Sequence, residues 1–221
     1  MSTEPAPAVP LARPGRPSRL HAAELTRRLL DAATGSFLTD GYRATSIEAV
    51  AKAARVSKRT FYHRFAGKPE LFEAVIRRLI EGWRIPFDRA MAPGAMALDV
   101  PLDQRLAGIA RLILAAALSR EAIALHRLMV SEAPAFPALA RVVNEHGHAM
   151  GVRAIAGLLA AEAASGRLVV ADPALAAEQF LHLVVGAPQR RALGLDAPLD
   201  APALDRWVHA TVTLFLKGLA P

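Results

Sequence analysis

Apolar residues recur along one stripe at Leu25, Leu29, Ala32, Ala33 and Phe37, which predicts an amphipathic helix. Asp40-Gly41 supplies a C-terminal stop. Thr45-Ser46 precedes Ile47, and Glu48 follows Thr45 by three residues, the spacing of a capping box. Ile47, Val50 and Ala51 make the apolar face of a short second helix. Ala54-Arg55-Val56 reads as a tight turn, and Ser57 can cap a third short helix, Lys58 to His63. Phe65 and Ala66-Gly67 close this unit. Lys68-Pro69 opens a fourth helix, carried by Leu71, Phe72, Val75, Ile76, Leu79 and Ile80 to about Trp83, before Pro86.

Residues 86–100, rich in Pro, Gly and Met, read as a loop with room for one helical turn. Helices are expected over 102–118 and 120–132, then a break between Pro134 and Pro137. One long helix should run from about 138 to 165 and stop at Gly166. Asp172-Pro173 starts another, to about Val185, and Asp200-Ala201-Pro202 starts the last, to near Gly218. Pro188 to Pro198 is a connection. The pattern predicts an all-α chain of about nine helices with no internal repeat.

Composition narrows the class. Hydrophobic residues are 53% and charged residues 21% of 221, so most of the chain is globular. Cysteine is absent, which excludes disulfides, cysteine nucleophiles and thiolate metal sites. The longest apolar run, Leu112 to Leu118, is far below the roughly 18 residues of a spanning helix, and the N-terminus lacks the apolar core of a secretory signal. A cytoplasmic protein without membrane contact is expected. Charge is uneven: residues 1–82 carry 14 Lys and Arg against 8 Asp and Glu, whereas residues 83–221 carry 13 against 12. A basic first third suggests a polyanion partner. Residues 1–21 hold five prolines and three arginines and read as a flexible basic arm, either free or lying along a minor groove.

Two short helices joined by a tight turn make a helix-turn-helix over about 45–64. A major groove admits one helix, whose outer side must carry donors. Lys58 and Arg59 can meet guanine edges or phosphates, and Thr60 a thymine methyl or a phosphate. Ser57, Tyr62, His63, Arg64 and Lys68 extend the row, with Thr45 and Ser46 at the start of the first helix and Arg55 in the turn.

Gly41-Tyr42-Arg43-Ala44-Thr45-Ser46-Ile47, Val50 to Ser57, and Thr60-Phe61-Tyr62-His63-Arg64-Phe65 with Lys68 resemble the DNA-binding domain of the TetR (tetracycline-repressor-like) regulators. The resemblance covers about residues 22–82. It implies a homodimeric all-helical repressor on a palindromic DNA operator, with residues 83–221 binding a small-molecule effector and dimerising through the last two helices. It further implies phosphate contacts for Thr45 or Ser46, Tyr62 and Lys68, and base reading for Lys58, Arg59 and Thr60. One departure is clear: Arg55 stands where the family usually has Gly. A positive φ there would cost a non-Gly residue about 1 kcal/mol.

The remainder names no ligand. His146 and His148, two apart on one expected helix, would point to different faces and could not chelate together, so no metal site is expected. Neither a catalytic motif nor a cofactor motif appears. Leu128 to Pro134 with Phe136-Pro137 also resembles the ligand domain of one TetR subgroup. Phe87, Met91, Met96, Leu112, His126, Met129, Phe136 and Met150 are large side chains on Ala-rich helices and are the expected pocket residues. Phe180, Leu183, Val184, Leu204, Trp207, Val208, Thr211 and Phe215 are the expected dimer face, with the chain's own core as the competing role. The rival functions are an all-helical enzyme or carrier with an appended basic domain, or an activator without a ligand.

Overall fold

A computed structural model describes residues 19–90 and 100–218, and side chains within 21–84 and 100–218. Residues 1–18 of the expected arm and 91–99 of the expected loop lie outside the described residues, whereas Arg19 to His21 already belong to the first helix. Among those described, ten α-helices and no strand occur: α1 Arg19–Ala44, α2 Ile47–Ala53, α3 Lys58–Tyr62, α4 Lys68–Ala90, α5 Leu102–Ala117, α6 Arg120–Glu132, α7 Pro137–His146, α8 His148–Ala164, α9 Pro173–Arg190 and α10 Ala201–Lys217.

Local signals set half of the ten described helix starts. Ser46, Ser57, Ser119, Asp172 and Asp200 each accept a hydrogen bond from a first-turn amide with the side chain. The cap of α2 is Ser46 and not Thr45. Thr45 is buried, and its hydroxyl donates to the Gly41 carbonyl at 2.8 Å. Gly41 has φ 83° and ψ 171°, a region open essentially to glycine alone, so α1 bends there.

Three expected boundaries differ. The helix expected over 138–165 is two helices, because Gly147 leaves helical geometry at φ −99°, ψ −89°. α4 continues through Pro86 to Ala90, and α9 through Pro188 to Arg190. A proline removes one N–H bond and crowds the preceding turn, yet packed neighbours can carry a helix past it. α9 then runs into a π-helical turn, Arg191–Leu195, opened by Gly194 at φ 93°.

Two apolar cores organise the chain. One joins α5, α8, α9 and α10 through Leu106, Ile109, Ile155, Leu159, Phe180, Val184 and Val212. The other begins in α1–α4 with Leu29, Phe37, Val50, Phe61, Phe72 and Ile76, and also takes Leu125, Leu128, Met129 and Leu139 from α6 and α7. An aromatic cluster marks this seam: Phe136 lies 4.7 Å from Tyr42 and 5.3 Å from Phe72, centroid to centroid. Burial, and after it the Glu132 carboxylate, push the Tyr42 hydroxyl above its ordinary pKa.

Candidate nucleic-acid interface and cavity

The α2–α3 unit is built on Val50, Ala51, Ala54 and Phe61, all buried. Its turn places Arg55 at φ 54°, so the left-handed position usually held by glycine is kept with an arginine in it. Arg28 of α1 clamps this turn by donating to the carbonyls of Ala54 and Arg55, the latter at 3.0 Å. That residue escaped the sequence analysis; nothing in its local spacing points to a partner 26 positions away.

α3 presents Ser57, Lys58, Arg59, Tyr62 and His63 to solvent, with Thr60 and Arg64 half-buried. Ser57 is the cap, accepting from the Thr60 amide at 3.0 Å, and its hydroxyl lies 2.9 Å from that of Thr60. Lys58 pairs with Glu48 of α2, which raises the lysine pKa and lowers the glutamate's. Arg59 makes no hydrogen bond or ion pair among the described residues. Tyr62 is 55% exposed.

Two expected DNA contacts are turned inward. Lys68 donates to the carbonyls of Tyr42 and Thr45, each at 3.0 Å, and to that of Arg43 at 3.4 Å, with its ammonium 4.5 Å above the Tyr42 ring. It closes the C-terminal end of α1, where free carbonyls and the helix dipole favour a cation. Thr45 is committed to the same corner. Ser46 is exposed but spends its oxygen on the Ala49 amide.

A cavity of about 690 Å3 opens among α4–α9. Its apolar wall includes Trp83, Ile113, Leu125, Met129, Met150 and Leu181, and its polar groups include His126, Asn144, His146, His148, Glu178, His182 and Gln189. Of the expected pocket residues, His126, Met129 and Met150 line it. Leu112 instead packs against the α5–α10 core, and Phe136 against the α1–α4 core. The side chains of Phe87, Met91 and Met96 lie outside the described residues. Trp83, Glu178 and His182 were missed, although the last two stand four apart, on one face of a helix.

Residues 104–219 match the family described as AefR-like transcriptional repressor, C-terminal domain, and residues 29–75 match bacterial regulatory proteins, tetR family. The chain belongs to the TetR family. The described residues are all-helical, and the family is one of DNA-binding transcriptional regulators, whose members are not enzymes. The flavonoid-responsive regulator FrrA is 32% identical, with a TM-score of 0.74 over 90% of this chain and 98% of that one. A TetR-family structure from Mesorhizobium loti is 26% identical, with a TM-score of 0.78 over 90% and 98%. The transcriptional regulator AcuR of Cereibacter sphaeroides is 35% identical over 56% of this chain and 53% of its own. YhgD, an HTH-type regulator of Bacillus subtilis, is 43% identical over 29% of this chain and 34% of its own. The chain thus spans a third to a half of these two curated relatives.

In this TetR-family fold the expected dimer residues divide. Phe180, Val184, Val208, Thr211 and Phe215 are buried in the chain's own core. Leu204 and Trp207 pack against that core, and the Trp207 indole donates to the Val184 carbonyl at 2.9 Å. Only Leu183 among the eight is exposed. The outward apolar residues of α9 and α10 are Leu175 (53% exposed), Leu183 (41%) and Leu214 (65%). No described helix is long and apolar enough to cross a membrane.

Proposed function

We propose that this TetR-family chain represses transcription in the cytoplasm as a homodimer on a palindromic operator, and that an amphipathic small molecule in the cavity relieves it. The observation that carries the DNA reading is Arg59: a cation on the capped, outward α3, uncommitted to any described group. Arg59, Lys58 and Thr60 read bases, while Ser57, Tyr62, His63, Arg64 and Arg55 reach the backbone. Lys68 and Thr45 leave the contact set, because their donors hold the α1 corner. A single short helix reads few base pairs, so two act about 34–36 Å apart. The exposed Leu175, Leu183 and Leu214 supply the dimer face, to be buried against the same residues of a second copy.

The effector reading is supported by the cavity's size and mixed lining, by the responsiveness to flavonoids in FrrA's name, and by the repressor family matched at 104–219. Trp83 lies in the cavity wall on α4, which begins beside α3 and is about 35 Å long at 1.5 Å per residue. Leu125 and Met129 line the cavity and also belong to the core shared with α1–α4. A ligand that shifts α6 therefore shifts the seat of the DNA-binding unit, with a coupling of about 1–3 kcal/mol.

Gel-shift titration against DNA upstream of the chain's own coding region tests this. Arg59→Ala should weaken operator binding by about 1–3 kcal/mol per half-site and leave random DNA nearly unaffected. Equal losses on both would remove its base-reading role. Light scattering at micromolar concentration should give twice the 23.6 kDa of the chain.

A further inference from the structure

We propose that His148, Glu178 and His182 bind one divalent transition-metal ion of the zinc class at the wall of the cavity. Glu178 and His182 are one turn apart on α9 and so share a face. His148, the first residue of α8, meets them from across the groove, because Gly147 ends α7 and redirects the chain. The donor atoms of all three lie within 4.8 Å of one another. His148 Nε2 is 3.7 Å from Glu178 Oε1, and the two imidazoles sit edge to face with centroids 5.1 Å apart.

Bonds of about 2.0–2.2 Å at tetrahedral angles set ligand atoms roughly 3.4 Å apart, so the trio closes on an ion by side-chain movements of about 1 Å. Glu178 and His182 are exposed and His148 half-buried, which leaves them that freedom.

The tautomer of His182 is already set for ligation. Its Nδ1 lies 2.9 Å from the Glu178 backbone carbonyl oxygen. A carbonyl only accepts, so Nδ1–H donates, and in the neutral ring Nε2 then carries the lone pair. Ligating histidines characteristically hold their second nitrogen this way. Two imidazoles and one carboxylate suit zinc, cobalt or nickel; magnesium and calcium demand more oxygen donors. Three protein ligands leave a fourth position free for water or for an oxygen or nitrogen of a small molecule. The ion site does not depend on the cavity's holding an effector.

The test is titration of metal-stripped, full-length protein with Zn2+ by calorimetry and with Co2+ by visible absorption, without DNA or small molecule. One ion per chain is expected, with the intense visible bands of four-coordinate Co2+. His148→Ala and His182→Ala should each weaken Zn2+ binding by at least about tenfold while the helical circular dichroism stays unchanged. Glu178→Gln keeps the side chain's size and should weaken binding too, which holds the test open if a histidine variant fails to fold. His209→Ala, on α10, should bind as the parent does. Absence of stoichiometric binding overturns the proposal. So does binding that survives the loss of both His148 and His182, or that is lost with His146→Ala while His148→Ala and His182→Ala retain it.

Discussion

The DNA-binding unit and the helices behind it use their polar groups in opposite ways. In α2 and α3 the serines cap helices, and Arg59 and Tyr62 face solvent. In α5–α9 polar side chains line a cavity or are buried: Glu162 is 1% exposed, and four histidines line one cavity, His126 and His148 half-buried and His146 and His182 exposed at its mouth. Charge follows the same division, 14 cations against 8 anions up to residue 82 and 13 against 12 beyond it. A surface that meets a polyanion needs cations it can present outward, as Arg59 is here, while Lys58 is paired with Glu48 on the same face. A region that encloses a cavity can afford charges only where partners await them.

Removing the best-partnered charge of the second region should have the largest effect. Glu162 accepts from Arg167 at 2.6 Å and from buried Arg105 at 2.7 Å, tying α8 to α5. The Arg167 hydrogen bond, and then that of Arg105, hold its carboxyl at about 2 against the opposing effect of burial. Glu162→Gln should cost about 3–5 kcal/mol in urea unfolding, because Arg105 is left buried with its charge uncompensated. The pH dependence has a definite sign. The folded pKa lies below the ordinary 4.5, so the contribution is complete above about pH 4.5 and disappears as pH falls from there toward 2. The Gln variant should lose that part of the acid limb; an unchanged limb would show that the pair anchors nothing.

Phe136→Ala strikes the seam between the regions. It removes half-buried packing against Tyr42 and Phe72 and should cost about 2 kcal/mol. Because the α1–α4 core includes α6 and α7 residues, both regions should lose stability in one transition and operator affinity should fall as well. Unchanged operator affinity at full folding would make the DNA-binding unit independent of α6 and α7.

Arg55→Gly should act least and in the opposite direction. It relieves a positive φ and should stabilise by up to about 1 kcal/mol in thermal melts. If the guanidinium also meets a phosphate, the salt slope of DNA binding should fall by about 1. A destabilised glycine variant would show that the Arg28 clamp and the arginine side chain already offset the strain.

Legibility in the sequence followed the range of the interaction. The helix-turn-helix could be read because its signals act within four or five residues: Ser46 and Ser57 as caps, Gly41 as a break (a bend in α1 and not its end), Val50 and Phe61 as core. The surroundings of Thr45 and Lys68 could not be read, because each looks from the sequence like an exposed donor beside the recognition helix. Their acceptors are carbonyls of the α1 corner, 23 to 26 positions from Lys68. Of the expected pocket residues, Leu112 and Phe136 fell to the two cores, since an apolar side chain on an Ala-rich helix suits a core and a cavity equally.

Short-range chemistry in the sequence therefore determined the all-helical class, the capped helix starts and the turn that carries Arg55. Tertiary structure alone decided which face of α9 and α10 is core. Both helices carry apolar residues on more than one side, Phe180 and Val184 inward but Leu175 and Leu183 outward, so periodicity leaves the choice to whichever neighbours pack there. It also decided that His148 meets Glu178 and His182, thirty and more positions away. A helix places residues three and four apart together by its own geometry. Residues on different helices meet only after Gly147 has broken one helix and the cores have docked the rest.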